Sequence, residues 1–126
     1  MSKETVLQDD AFLVSETDSK GNIIFANDEF CTVAEYNKEE LLGQPHNMVR
    51  HPDMPKAAFK DLWDTVHDNK VWEGYVKNKT KSGGYYWVFA TVYPYTNENG
   101  EKCYMSCRRK PLREDVTKYD ALYKTM

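Results

Sequence analysis

Trp72-Glu73-Gly74-Tyr75-Val76-Lys77-Asn78-Lys79, Tyr85-Tyr86-Trp87-Val88-Phe89-Ala90-Thr91-Val92-Tyr93-Pro94-Tyr95 and Lys102-Cys103-Tyr104-Met105-Ser106-Cys107-Arg108-Arg109 form three consecutive strand-like runs. They are rich in aromatic and β-branched residues, which suit a pleated, half-buried surface. Ser82-Gly83-Gly84 and Asn97-Glu98-Asn99-Gly100 separate them with short turn signals, so the runs pair as an antiparallel meander. Upstream of Val71 the period is helical: Phe59, Leu62, Trp63 and Val66 recur at 3, 4 and 7, and Pro55 suits a first helical position. Before that helix lies Gln44-Pro45-His46-Asn47-Met48-Val49-Arg50-His51-Pro52-Asp53-Met54-Pro55. Its three prolines hold it as a shaped loop, dense in donors and charge, that offers more to a polar ligand than to a core.

Further upstream, Asn37 and Glu40 make a capping box for one helical turn that Gly43 stops. Asn27-Asp28 opens a helix carrying Phe30, Val33 and Ala34, and Ala11 to Ser15 and Ile23 to Ala26 pair as a hairpin about the Asp18-to-Asn22 turn. After the meander, Pro111 begins a polar helix with Val116, Tyr119, Leu122 and Tyr123 along one side. Two strands, short helices, three antiparallel strands and a last helix make an α+β domain.

At 126 residues the chain is one domain with a core of its own. The 13% aromatic share points to a sticky interface or a ring-walled cavity. A net charge of −3 gives no electrostatic case for nucleic acid. No apolar run has membrane-spanning length, so no direct membrane insertion by this chain is expected. Three cysteines, an odd number, fit a reduced, cytoplasmic setting. Cys103 and Cys107 without a nearby His are not a zinc site, and no Gly-rich phosphate loop, nucleophile elbow or H-E-x-x-H appears, so an enzyme is not expected.

Ala26-Asn27-Asp28-Glu29-Phe30, Gly43-Gln44-Pro45, Lys81-Ser82-Gly83 and Tyr86-Trp87-Val88, in this order of elements, resemble the PAS fold. Gln44 to Phe59, with Trp72-Glu73-Gly74 and Val76-Lys77-Asn78, is more specifically similar to the sensor domain of bacterial aerotaxis receptors, and the similarity runs from about residue 10 to 125. The resemblance implies a five-stranded antiparallel sheet with helices over one face, non-covalent FAD between sheet and helices, and redox sensing for aerotaxis or energy taxis. It divides the chain into an extension (1–9), the sensor (10–111) and a signalling or connector helix (112–126). Members of that family continue into a membrane anchor and signalling domain. The expected partner is therefore a chemotaxis-type transducer or signalling domain, in cis or in trans, with membrane association through it and a homodimer as an open alternative.

In that family the Arg-His-Pro-Asp segment is needed for FAD, which carries over to Arg50, His51 and Asp53. Arg50 is the natural contact for a pyrophosphate. His51 can stack or donate, and Asp53 can hold Arg50; the plainer alternative makes Asp53 a helix cap. His46 is placed at the cavity mouth. In β geometry Trp72, Gly74, Val76 and Asn78 share a face. There Asn78 offers donor and acceptor, Trp72 an indole, and Gly74 close approach of the ring. Tyr86 is a further candidate, Trp63 serves core and cavity, and Asn27 serves as cap or contact. Lys77, Lys79 and Lys81 are read as a solvated sheet edge. A flavin photoadduct is not expected, since Asn47-Met48-Val49-Arg50 holds no Cys. Two other classes stay open: a PAS module for haem or a small metabolite, and an empty fold used for dimerisation.

Overall fold

The computed structural model describes residues 3–126. Strands β1 (Leu13–Thr17), β2 (Ile23–Ala26), β3 (Trp72–Lys79), β4 (Tyr85–Thr96) and β5 (Lys102–Arg109) form one antiparallel sheet in the order β2-β1-β5-β4-β3. Helices α1 (Asp28–Ala34), α2 (Lys38–Leu41) and α3 (Lys56–His67), with a 3₁₀ turn at His46–Val49, lie between β2 and β3 in sequence; α4 (Arg113–Tyr123) follows β5. The α+β architecture is as expected, and β3 and β5 have the bounds read from their turn signals.

β1 starts two residues later than expected. Ala11 donates to the Gln8 carbonyl in a turn, and pairing with β5 runs from Leu13 opposite Arg108 to Thr17 opposite Tyr104. A slip of two keeps every side chain on its face. Pro55 stands just before α3, in extended conformation, rather than inside it. The Asn37 box is complete: Asn37 accepts from the Glu40 amide while the Glu40 carboxylate accepts from the Asn37 amide.

The inner sheet face carries the core. Leu13, Ala26, Val76, Tyr86, Val88, Ala90, Val92 and Tyr104 pack there against Phe30, Ala34, Leu41, Val49, Leu62 and Val66 from the helical layer. On the outer face α4 lies across β3 and β4: Tyr119 stacks on Tyr75 at 4.4 Å and Tyr123 on Trp87 at 6.2 Å. The strand β3 thus has the core on one side and the last helix on the other.

Candidate functional site

Between the inner sheet face and the helical layer lies a cavity of about 270 Å³. Its floor is apolar, with Val76, Ala90 and Val92 from the sheet facing Phe59, Leu62 and Trp63 of α3. Its mouth is polar, where Lys20, Asn47 and Arg50 join Gly21 and Pro45. The proline-braced segment is shaped as expected, with two backbone anchors to hold it. The His46 amide donates to the Gly21 carbonyl at 3.0 Å, and the His51 amide to the Lys77 carbonyl at 3.2 Å. It therefore spans from the β1–β2 hairpin to the edge strand β3 and roofs the cavity. Gly21 is at φ +88 in that hairpin turn, a conformation that favours glycine.

Of the residues singled out from sequence, Arg50, His46, Asn78 and Trp63 line the cavity. The Arg50 guanidinium lies over the Phe59 ring, 4.4 Å from its centroid, which fixes it at the mouth without neutralising it. Asn78 is buried on β3 with Val76, the uninterrupted β3–β4 register keeping both on the inner face. Trp63 packs edge-on against Tyr104 at 5.2 Å, and so is core and cavity wall together.

The other five are placed elsewhere. Asp53 is exposed and neither caps α3 nor holds Arg50: its carboxylate accepts from Lys77 Nζ at 2.9 Å. That hydrogen bond holds the Asp53 carboxyl below its usual range. Lys77, read as part of a solvated edge, is thereby covered by the loop, over the Tyr85 ring at 4.6 Å. His51 turns Nδ1 back to accept from the Asp53 amide at 3.0 Å, so it shapes the loop and does not line the cavity. Asn27 is consumed by the fold. Its Oδ1 accepts from the Phe30 and Val14 amides and its Nδ2 donates to the Phe12 carbonyl, which ties α1 to β1.

Trp72 is buried but donates its indole N–H to Asp61 on α3 at 2.9 Å. Its ring also occupies the space that a Cβ on Gly74 would take, at 2.5 Å, so the open flank of Gly74 serves Trp72 rather than a ligand. Gly74→Ala is expected to push the indole off Asp61 and cost about 1–3 kcal/mol, read as a lower melting temperature with changed tryptophan near-ultraviolet dichroism. Tyr86 is fully buried opposite Asn78 and is not among the residues that line the cavity. Its hydroxyl has no hydrogen-bond partner, and burial pushes the phenol up to about 12 against the pull of the Arg108 charge.

The residue that sequence reasoning missed is Arg108. It is 2% exposed, yet borders the cavity. Nη2 donates to Ser15 Oγ at 2.8 Å, Nη1 faces His46 Nε2 at 3.2 Å, and the guanidinium lies 4.2 Å from the Phe30 ring centroid. Ser15 Oγ is also 2.9 Å from His46 Nε2. Arginine has donors only, so Nε2 is the acceptor and we assign the imidazole proton to Nδ1. Burial, and then the adjacent Arg108 charge, pull the His46 pKa down to about 3. Burial pulls Arg108 down to about 10, which leaves it a cation at neutral pH. No described carboxylate pairs with it, and its Nε–H has no acceptor. The one available sequence signal was alternation: counting by two from Tyr104 sets Ser106 and Arg108 on one face.

All three cysteines are free, and among the described residues no cluster of His, Cys, Asp and Glu is arranged to hold a metal ion. No described helix is long and apolar enough to cross a membrane.

Comparison with known proteins agrees with the architecture. The chain is 47% identical over 124 residues to the aerotaxis receptor of Escherichia coli (strain K12), covering 98% of this chain and 24% of that protein. It is 30% identical over 97 residues to the nitrogen fixation regulatory protein of Klebsiella oxytoca, covering 77% of this chain and 20% of that one. The chain thus spans about a quarter or less of the length of these relatives. Among solved structures, the PAS domain of a Colwellia psychrerythraea protein superimposes with a TM-score of 0.71 at 26% identity, over 79% of this chain and 86% of that one. The blue-light photoreceptor Aureochrome1 LOV shares the fold, with a TM-score of 0.74 at 16% identity over 90% of this chain and 91% of that one. The family model described as the PAS fold matches residues 23–109, and on these grounds the chain belongs to the PAS family.

Proposed function

We propose that this PAS domain is the flavin-holding sensor of a redox signalling system of the aerotaxis type, with FAD as the flavin. The observation that carries the reading is the buried, acid-free Arg108 beside an apolar cavity. An unpaired guanidinium in such a place calls for an electron-rich group from a ligand. Asn78 adds a donor and an acceptor, and Val76, Ala90, Val92, Leu62 and Trp63 supply flat apolar walls, a set that suits a planar ring with one polar edge. A volume of about 270 Å³ lies just below the roughly 300–1,000 Å³ of ligand pockets. It suits a ring system, so the dinucleotide tail runs out through the mouth, where Arg50 meets the pyrophosphate. The relation to an aerotaxis receptor supports the same reading.

Flavin, when bound, supplies the electron chemistry. The chain's residues hold and orient it, keep water from the apolar floor, and carry the change outward. β3 is the route: Val76 and Asn78 face the cavity, and Tyr75, the neighbour of Val76, faces α4. The Tyr75 carbonyl accepts from the Tyr123 hydroxyl at 2.7 Å and its own hydroxyl donates to Asp115 at 3.0 Å. Output leaves through residues 112–126 to a signalling partner or domain, with residues 10–111 as the sensor. A haem reading is weaker, because His46 Nε2 already accepts from Arg108 and Ser15.

The test is the visible spectrum of the purified protein before and after dithionite. Flavin bands that bleach on reduction are expected, and a protein that stays colourless after incubation with FAD refutes the reading. Arg50→Ala removes a charge-assisted contact worth about 1.5–3 kcal/mol, so FAD affinity falls by roughly ten- to a hundredfold with the fold intact. Asp53→Ala, acting only through the loop, loses less. Equal flavin content in wild type and both variants overturns the placement of the tail.

A further inference from the structure

We infer that Arg108, held in position by Ser15 and His46, supplies the countercharge for the electron that bound flavin gains, and so sets the potential at which the sensor switches. The inference rests on the flavin reading above and deepens it.

Arg108 is buried to 2% exposure and its contacts are all neutral: a serine hydroxyl, a neutral imidazole and the face of Phe30. Taking a guanidinium out of water costs several kcal/mol unless an opposite charge offsets it. Here the described residues offer none, and even the Nε–H is left without an acceptor. A carboxylate at position 15 or 46 would have cancelled the charge. Ser15 and His46 instead hold the two Nη groups and leave the charge unspent on a residue that borders the cavity.

Reduction passes an electron from an outside donor, in the test dithionite, to the flavin. The donor is oxidised, and in the protein no bond forms or breaks. Arg108, Ser15 and His46 give up no proton. Negative charge developing in a low-dielectric chamber beside a fixed cation is stabilised more than in water. The reduced form therefore gains more from Arg108 than the oxidised form does, and the potential rises. Ser15 and His46 are positioning residues, acting through the guanidinium they hold.

The experiment is a dithionite titration of the flavin-loaded protein against a reference dye, with melting curves of the flavin-free protein alongside. In Arg108→Met the ratio of reduced to oxidised flavin at a given potential is expected to fall at least about tenfold, ~59 mV for a one-electron step. The same variant, rid of an uncompensated buried charge, is expected to melt no lower than wild type when empty. Ser15→Ala keeps the cation but frees Nη2, and shifts the potential the same way by less. Where Arg108→Met holds flavin too weakly to titrate, its separate affinities for oxidised and reduced flavin give the same ratio. Where it does not fold, Ser15→Ala and Arg108→Gln carry the test.

An unchanged potential in Arg108→Met, or in Arg108→Gln and Ser15→Ala together, overturns the inference and leaves the flavin reading standing. A lower melting temperature with unchanged potential makes Arg108 a structural residue, and the inference falls in the same way. Wild type that takes up flavin in neither redox state overturns both.

Discussion

Truncating Phe30 to alanine is expected to lower the melting temperature by on the order of 10 °C or more, the largest effect foreseen for a single substitution here. Phe30 is fully buried where α1 meets the sheet. Phe-to-Ala changes in cores cost about 3–5 kcal/mol, from lost transfer energy and the cavity left behind. Each kcal/mol moves the melting point by several degrees in a domain of this size. Two further contacts go with the ring. Its face lies 4.2 Å from the Arg108 guanidinium, and His46 stacks on it at 5.9 Å with the planes 12° apart. Phe30 is therefore a core residue and the backing of the buried cation at once. Phe30→Leu, which keeps most of the volume but loses the aromatic face, is expected to recover most of the stability and little of the hold on Arg108. Calorimetry on both variants checks this. A fall of only a few degrees in the alanine variant would show that the α1 layer collapses to fill the gap.

Acid is expected to destabilise the fold well above the range where carboxylates titrate, and His46 is the main reason. Its pKa is about 3 in the native protein against roughly 6.5 in the unfolded chain. Between those values the unfolded state binds a proton that the native state refuses, so stability rises with pH through that window. It is lost as pH falls below about 6.5, at a limiting slope of about 1.4 kcal/mol per pH unit. His51 is displaced in the same direction, by burial and by Lys77, and adds to the slope. The carboxyls held low, such as Asp18 and Asp53, contribute stability that disappears only at lower pH.

Urea unfolding at pH 7, 6 and 5 separates the two groups. The free energy of unfolding is expected to drop toward pH 5, with nearly one proton of that slope removed in His46→Gln, which keeps an acceptor for Arg108 and has no proton to gain. Identical slopes in wild type and variant would place the His46 ring in contact with water. As a residue His46 is half-buried. Its imidazole lies between Arg108, Ser15 and Phe30, deep enough for burial to govern its titration.

Much of the fold was legible because it depends on near neighbours. Turn residues bound β3 and β5 correctly, the Asn37–Glu40 box marked α2, and the period of Phe59, Leu62, Trp63 and Val66 marked α3. The Pro45-to-Pro55 segment was legible as a shaped loop for the same reason, since proline restricts its own backbone and that of the residue before it. Four of the nine candidate residues, Arg50, His46, Asn78 and Trp63, reach the cavity. For Asn78 and Trp63 the period of their own strand or helix pointed inward.

Three of the five candidates that stand away from the cavity share a cause. Asp53, Trp72 and Asn27 carry polar groups that fit a ligand, but each meets a partner from a distant segment, Lys77, Asp61 and Phe12 respectively. Local pattern carries no information on such pairing. Arg108 is the converse case. In Cys107-Arg108-Arg109-Lys110 it reads as one of three basic residues closing a strand.

The chain's own sequence determined its elements, their turns and the alternation of faces, because those follow from backbone sterics and a hydrophobic period within ten or so residues. Only the tertiary structure decided which basic residue goes inside. β5 inserts between β1 and β4, with Leu13 opposite Arg108 and Ala90 opposite Arg108 on the other flank. A register one residue away would have buried Arg109 and left Arg108 in water, since adjacent positions on a strand point to opposite faces.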